Sequence, residues 1–475
     1  MSALWSLDAL LAAIGGRLIG NAPAEITGIS IDSRTVGPGE AFFAIRGDRF
    51  DAHAFVAGAL KAGAALAVVS QSRVDEIGPV EGALLVVSDD PLDALERLGR
   101  AARARMTGKV VAVTGSVGKT STKEMLRTVF SPLGRTHAPV GSFNNHWGVP
   151  LTLARMPADT EFGIFEIGMN HSGEIRPLVG MVRPHAAIVT IVAPVHLAFF
   201  ADEREIAEAK AEIFEGLLPG GAAIINRDNE WFELLAERAR EHGGKVVGFG
   251  EDPTSDIRLE RCALQEDGST AQASIFGEQL AFRVGAPGRH LLQNALGVLA
   301  VAREIGADVA RVALGLAGFR AAKGRGERFL LSHSGGDFIL LDESYNANPT
   351  SMQAALSLLA QVRPSGLGRR VAVLGDMLEL GNDSEALHRG LAADIASNGA
   401  DLVYLAGAEM KTLWDELPDA CRGAYAATAA ELEPILVDAI RPGDVIMLKA
   451  SLGTRFGPVV ETIKRRFAPN PQSET

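Results

Sequence analysis

The chain has 475 residues, more than one hydrophobic core usually holds, so two or three domains are expected. Hydrophobic residues make up 47% and charged residues 22%, a globular balance that excludes long disordered tracts. A formal net charge of −12 leaves no basic surplus for a nucleic-acid partner, although a local pocket can still be positive for a small anion.

The first apolar run, 9–14, has no Lys or Arg before it, carries Asp8 at its edge and ends at Gly15-Gly16-Arg17. It reads as a short amphipathic helix rather than a secretion signal. Apolar runs at 41–45, 65–69 and 84–87 alternate with Ala-rich stretches, predicting a small α/β unit over residues 1–90. A helix is expected at 91–106. Continuous apolar runs at 110–113, 162–167, 187–191 and 222–225 then predict a parallel sheet covered on both faces. Residues 256–284 alternate polar and apolar around Glu266-Asp267-Gly268, which predicts an antiparallel extension of that sheet, and a helix follows at 291–305. This central unit spans 91–318. Runs at 338–341, 370–374, 402–405 and 445–448 predict a third, Rossmann-like unit over 319–475, without the glycine fingerprint of a nicotinamide site. The fold class is therefore α/β in three domains. No apolar stretch reaches the roughly 20 residues of a membrane span. Cys262 and Cys421 lack metal-ligand spacing and are expected to be reduced thiols of a cytoplasmic protein.

The strand at 109–113 runs into Thr114-Gly115-Ser116-Val117-Gly118-Lys119-Thr120 and a helical stretch from Ser121. Glycines let backbone N–H groups close around phosphate oxygens, and the helix N-terminus adds a positive dipole end. Lys119 can reach the β- and γ-phosphates of ATP while the Thr120 hydroxyl can ligate Mg²⁺. The loop is shorter than the usual phosphate loop, because Val113 stands where the first glycine belongs.

That shortened loop resembles the superfamily of Mur ligases and folylpolyglutamate synthases. Ile31-Asp32-Ser33-Arg34, the segment 47–53, Gly141-Ser142-Phe143-Asn144-Asn145 and Phe165-Glu166-Ile167-Gly168-Met169-Asn170-His171 occur in the Mur ligase order. Asp342-Glu343-Ser344-Tyr345-Asn346-Ala347-Asn348-Pro349 and Gly375-Asp376-Met377-Leu378-Glu379-Leu380-Gly381 are similar to the branch that adds D-alanyl-D-alanine. The resemblance implies ATP-dependent ligation of that dipeptide to UDP-N-acetylmuramoyl-tripeptide through an acyl phosphate, by a monomer whose domains close on its substrates. The alternatives are a small-molecule kinase, a nucleotide switch and, within the family, the ligase that adds the third residue.

The resemblance also implies roles. Residues 114–121 would hold ATP, and Glu166, His196 and Lys210 would join Thr120 around two Mg²⁺ ions, with Lys210 carbamylated. Glu166, which ends an apolar strand, has the hard oxygen that Mg²⁺ takes. By composition alone His196 reads as a core residue and Lys210 as an exposed helical lysine. Asn294 would read adenine and Asp342 would contact ATP. Arg325 and Arg328 compete for one place at the phosphates. Ser33, Arg34, Arg49, Phe50 and Asp51 would meet the UDP-sugar. Asn144, Asn145, Asn170, His171, Tyr345, Asn346, Asp376 and Glu379 would meet the joined groups. Lys449-Ala450-Ser451 departs from the family's Lys-Gly-Ser, which predicts a different local turn, since alanine resists positive φ.

Overall fold

The structure is a computed structural model that describes residues 3–47, 50–195 and 197–468. Among these residues, three large sheets contain five, nine and six strands. The five-stranded sheet runs Arg17–Ile19, Leu84–Val87, Leu66–Ser70, Glu40–Phe43, Gly28–Ser30 and is parallel apart from its first pair. The expected first helix is Leu7–Ile14, where the Ser6 hydroxyl accepts from Ala9 N and Gly15 ends the helix at φ 72°. Helix Pro91–Arg105, capped by Asp90, packs Ala94, Leu95, Leu98 and Ala102 into the core of this first sheet.

The nine-stranded sheet is built around Lys109–Thr114, with Phe162–Glu166 on one side and Ala186–Val189, Ala222–Asn226 and Lys245–Gly250 on the other. Successive side chains of a strand point to opposite faces, so a sheet covered twice needs apolar residues at every position. Val111, Val113, Ile164, Ile188 and Ile224 face the helices Lys119–Phe130 and Arg289–Glu304. Val110, Ala112, Phe165, Ala187 and Ile225 face the opposite layer, with Ile206, Ile213 and Leu235. The antiparallel extension comprises Ile257–Gln265, Gly268–Ile275 and Glu278–Val284, as expected from the alternation. Two further strands of this sheet, Thr136–His137 and Lys245–Gly250, were not expected from the sequence. The first is two residues long, and the second carries glycines at 248 and 250.

The third sheet runs Glu327–His333, Gly336–Glu343, Val445–Lys449, Arg370–Gly375, Leu402–Ala406, Arg422–Ala426 and is parallel beyond its first pair. Its outer strands, Glu327–His333 and Arg422–Ala426, were not anticipated, being half-exposed and without the continuous apolar run of the inner strands. Ala450 is absent from the positive-φ residues, so no strained turn forms there. A Cβ at Gly375 would stand 2.8 Å from the Ala450 methyl, so Gly375 makes the room that Ala450 fills.

Both sheets have a topological switch point, where the chain leaves a central strand to opposite sides. In the middle sheet it lies at the end of Lys109–Thr114. In the third it is straddled by Val445–Lys449, inserted between Gly336–Glu343 and Arg370–Gly375. Asp444 opens that inserted strand almost fully buried, accepting from Arg369 N, Nε and Nη2 and from Arg441 N at 2.6–3.1 Å. Replacing it by Asn leaves Arg369 without its counter-charge. D444N is therefore expected to lower unfolding stability by about 3 kcal/mol in denaturant titration, and wild-type stability would contradict this role.

Candidate active site

The two switch points face one cavity of about 410 Å³. Ser116, Val117, Gly118, Lys119, Thr120 and Ser121 line it from the central unit, and Arg325, Glu343, Tyr345, Asn346 and Lys449 from the third. The loop is braced from beneath. Ser116 Oγ exchanges 2.9 Å hydrogen bonds with Ala193 O and N, and Thr190 Oγ1 donates to Val117 O at 2.5 Å. Gly115 and Gly118 have φ 147° and 86°. A Cβ at 115 would collide with Thr190 Oγ1, and one at 118 would crowd Asn294 Oδ1 at 2.9 Å. Asn294 is thereby packed against the loop. Thr114 is fully buried beneath it.

Lys119 Nζ donates to Gly115 O at 2.5 Å and to Ser116 O at 3.3 Å, curling over its own loop. Burial pulls its ammonium down to about 8, opposed by Glu166 and helped by Arg325. Glu166 is 1% exposed, at the end of strand Phe162–Glu166. Its Oε1 accepts from Thr120 Oγ1 at 3.1 Å and Asn144 Nδ2 at 2.8 Å, while Oε2 has no hydrogen-bond partner among the described residues. A buried carboxylate oxygen without a donor beside a hydroxyl suits a hard divalent cation. Among the described residues no three His, Cys, Asp or Glu side chains converge as a metal cluster. A cation here would rely on Thr120, Glu166 and its substrate's oxygens.

Lys210 is 2% exposed on helix Glu203–Ala211, and it makes no hydrogen bond or ion pair among the described residues. Burial, with Lys119 adding repulsion, holds its amine well below the usual lysine range. It is a buried amine, not the exposed helical lysine that composition alone suggests. His196 and Arg49 lie outside the described residues.

The competing arginines separate. Arg325 lines the cavity with its guanidinium carbon 4.2 Å from the Tyr345 ring centroid. Arg328 turns away and donates to Glu266 O at 2.7 Å, joining the third unit to the antiparallel extension. Asp342 does not line the cavity: it is 1% exposed, and its Oδ1 accepts from Ser344 N and Oγ. The next residue, Glu343, projects into the cavity instead, since neighbours along a strand face opposite sides. Asn144 and Asn170 line the cavity. Asn145 instead accepts from Trp147 N and Gly148 N, ordering the turn into helix Gly148–Ala154. His171 is exposed and paired with Glu174.

Asp376 is buried, accepts from Met410 N at 3.0 Å and is raised by that burial. Glu379, at φ 65°, accepts through its backbone carbonyl from Ala198 N at 3.1 Å, so the 375–381 loop touches the central unit. Neither lines the cavity. On the first unit, Ser33 is half-buried, Arg34 pairs with Asp32, and Phe50 is exposed. Asp51 accepts from His53 Nδ1 at 2.6 Å and Arg73 Nη2 at 2.5 Å. His53 Nε2 accepts from Ser70 N, so its proton sits on Nδ1. Thr190, Asn226, Glu343 and Lys449 were not singled out for the cavity. Strand-end position is the signal for Thr190 and Asn226, while Glu343 and Lys449 also stand within the motifs 342–349 and 449–451.

This arrangement can take a nucleotide's phosphates at one wall, with Arg325 and Lys449 opposite. Three family models match the chain: the Mur ligase family catalytic domain at residues 25–104, the Mur ligase middle domain at 113–302 and the Mur ligase glutamate ligase domain at 325–452. The chain belongs to the Mur ligase family. A Rickettsia prowazekii protein named UDP-N-acetylmuramoyl-tripeptide–D-alanyl-D-alanine ligase is 32% identical, with 96% of this chain and 99% of that one covered. The crystal structure of MurF from Acinetobacter baumannii superposes with a TM-score of 0.84 at 32% identity, covering 97% and 99% of the two chains. The MurF ligase from Thermotoga maritima in complex with ADP superposes at 0.78 with 26% identity, covering 92% and 97%. This Mur ligase is thus an ATP-binding α/β protein of three domains, and none of its described helices is long and apolar enough to cross a membrane.

For Asp51 in this ligase, burial alone would raise the carboxyl, yet Arg73 and His53 together hold it at about 2. A depressed folded value contributes stability above the unfolded carboxylate range, and that stability is lost as pH falls through the folded value. D51N is expected to cost about 2 kcal/mol at pH 7 in denaturant unfolding. The difference from wild type should shrink between about pH 4 and pH 2. A pH-independent difference would contradict the ionic part of this account.

Proposed function

We propose that this cleft activates a carboxylate by phosphoryl transfer from ATP and joins it to an amine. The ligase couples D-alanyl-D-alanine to UDP-N-acetylmuramoyl-tripeptide in peptidoglycan precursor synthesis. The observation that carries this reading is a single cavity walled by a phosphate loop on one unit and by Arg325 and the Tyr345–Asn346 turn on another. A kinase or a switch has no need of that second wall.

A carboxylate oxygen of the tripeptide attacks the γ-phosphorus, the bond to the β-phosphate oxygen breaks, and ADP leaves an acyl phosphate. The dipeptide amine then attacks the acyl carbon, the carbon–oxygen bond breaks, phosphate departs and the nitrogen gives up a proton. Backbone N–H groups of residues 115–120 and Lys119 bind the phosphates and offset charge as it develops. Asn144 keeps Glu166 oriented through its 2.8 Å bond. Asn294, which lines the cavity against Gly118, is assigned to the adenine, and Arg325 faces the phosphates from the third unit. No side chain need form a covalent bond, so positioning supplies most of the acceleration.

Magnesium, when bound, neutralises phosphate oxygens. Thr120 and Glu166 suit one ion, and His196 with a carbamate on Lys210 would suit a second. The desolvated Lys210 amine can attack carbon dioxide and release a proton, which turns a buried base into a carboxylate-like ligand. Residues 1–90 are assigned to the UDP-sugar, with Ser33, Arg34, Arg49, Phe50 and Asp51 as its contacts. Residues 91–318 are assigned to ATP and 319–475 to the dipeptide, with Tyr345 and Asn346 nearest the amine. Asp376 and Glu379 shape the loop that meets the central unit.

Phosphate release from ATP should require both UDP-N-acetylmuramoyl-tripeptide and D-alanyl-D-alanine, and the product should have the mass of the pentapeptide. Release with a free amino acid on the dipeptide precursor would move the chain to the sister ligase. A stable phosphorylated product without any amine would return it to the kinases.

A further inference from the structure

Lys449 ends strand Val445–Lys449, paired with Glu343 on one side and Leu374 on the other. Its side chain is 2% exposed, yet it lines the cavity. Nζ donates to Asn346 O at 3.0 Å and to Glu343 Oε2 at 3.3 Å. Both acceptors belong to the four-residue segment 343–346, so one ammonium pins the end of a strand to the turn that follows it. Tyr345 lies inside this segment. Its N–H donates to Gly324 O at 3.1 Å, a Cβ at 324 would stand 3.0 Å from its own Cβ, and its ring carries the Arg325 guanidinium. The place of Arg325 across from the phosphate loop is therefore inherited, through Tyr345, from the segment that Lys449 holds.

A buried lysine–glutamate pair is a poor way to stabilise a fold, because desolvation consumes most of the attraction and an apolar pair would pack as well. Its place at a cavity wall instead suits a geometric role. We propose that Lys449 is a positioning residue for the ligation, fixing the Tyr345–Asn346 turn and with it Arg325 against the phosphate loop. The charge of Glu343 is what makes this tether affordable in a dry wall. The inference rests on the ligase reading above.

The test compares wild type, K449M, K449R and E343Q in full-length protein. It uses steady-state kinetics, ATP binding by calorimetry and thermal unfolding. Removing the tether while keeping the apolar stem should lower kcat of K449M by about 100-fold and raise KM for D-alanyl-D-alanine, the loss expected for a reacting group displaced by an ångström. ATP affinity, set by the phosphate loop, should stay within about threefold of wild type, the split that marks lost transition-state positioning. K449R should recover roughly tenfold of the loss, and E343Q should fall in the same direction by less. Wild-type kcat and dipeptide KM in K449M would overturn the proposal. So would a joint fall of kcat, ATP affinity and melting temperature that K449R does not relieve, since that would mark a structural role. A wild type without amine-dependent phosphate release would overturn the ligase reading as well, and the wild-type control makes that case distinct.

Discussion

The active cleft depends on one buried carboxylate. Parallel register sets Glu166 opposite Val113, one residue before the chain turns into the phosphate loop, so a negative charge sits beside the place where phosphates enter. A charge at 1% exposure is costly unless it is partnered. Thr120 and Asn144 satisfy one oxygen, and among the described residues the other has no donor. The helix from Lys119 and the 141–148 segment each supply a donor to this carboxylate, which strand Phe162–Glu166 carries at its end.

The third unit answers this with positive charge. Arg325 and Lys449 approach the cavity from strands and loops of a second parallel sheet, and Glu343 balances them among the described lining residues of that unit. Neither unit alone could bring a phosphate loop and an amine-binding turn together. Contacts among the described residues that join them include Ala198 with Glu379, Arg328 with Glu266, Arg320 with Gly285 O and Gly381 against Ala198. The first unit is tied to the centre differently, by Arg155 Nε on Ile29 O and by Trp5 Nε1 on Ala154 O, with Arg105 stacked on Trp5.

Much of this was legible in the sequence, and for a physical reason. Strands covered on both faces must be continuously apolar, so the central strands of the middle and third sheets announce themselves. Edge strands such as Arg422–Ala426 carry no such demand, and Gly423 is there because the Tyr404 ring occupies the space of its side chain. The phosphate loop was readable because its backbone geometry requires glycine at fixed places. The opposite wall was less so. Whether Asp342 or Glu343 enters the cavity, and whether Arg325 or Arg328 does, depends on strand parity and on a partner, Glu266, about sixty residues away in the chain. The Lys449-Ala450-Ser451 motif marks a turn in the sequence, but the partners of Lys449 are set only by folding, which brings it to residues 343–346, more than a hundred positions earlier.

The central claim is that a carboxylate oxygen becomes bonded to phosphorus before the amide forms. UDP-N-acetylmuramoyl-tripeptide labelled with ¹⁸O in its terminal carboxylate tests this directly. After ligation with D-alanyl-D-alanine and unlabelled ATP, the account predicts one ¹⁸O atom in the inorganic phosphate by mass spectrometry. Phosphate free of label, formed alongside normal amide product, would contradict it.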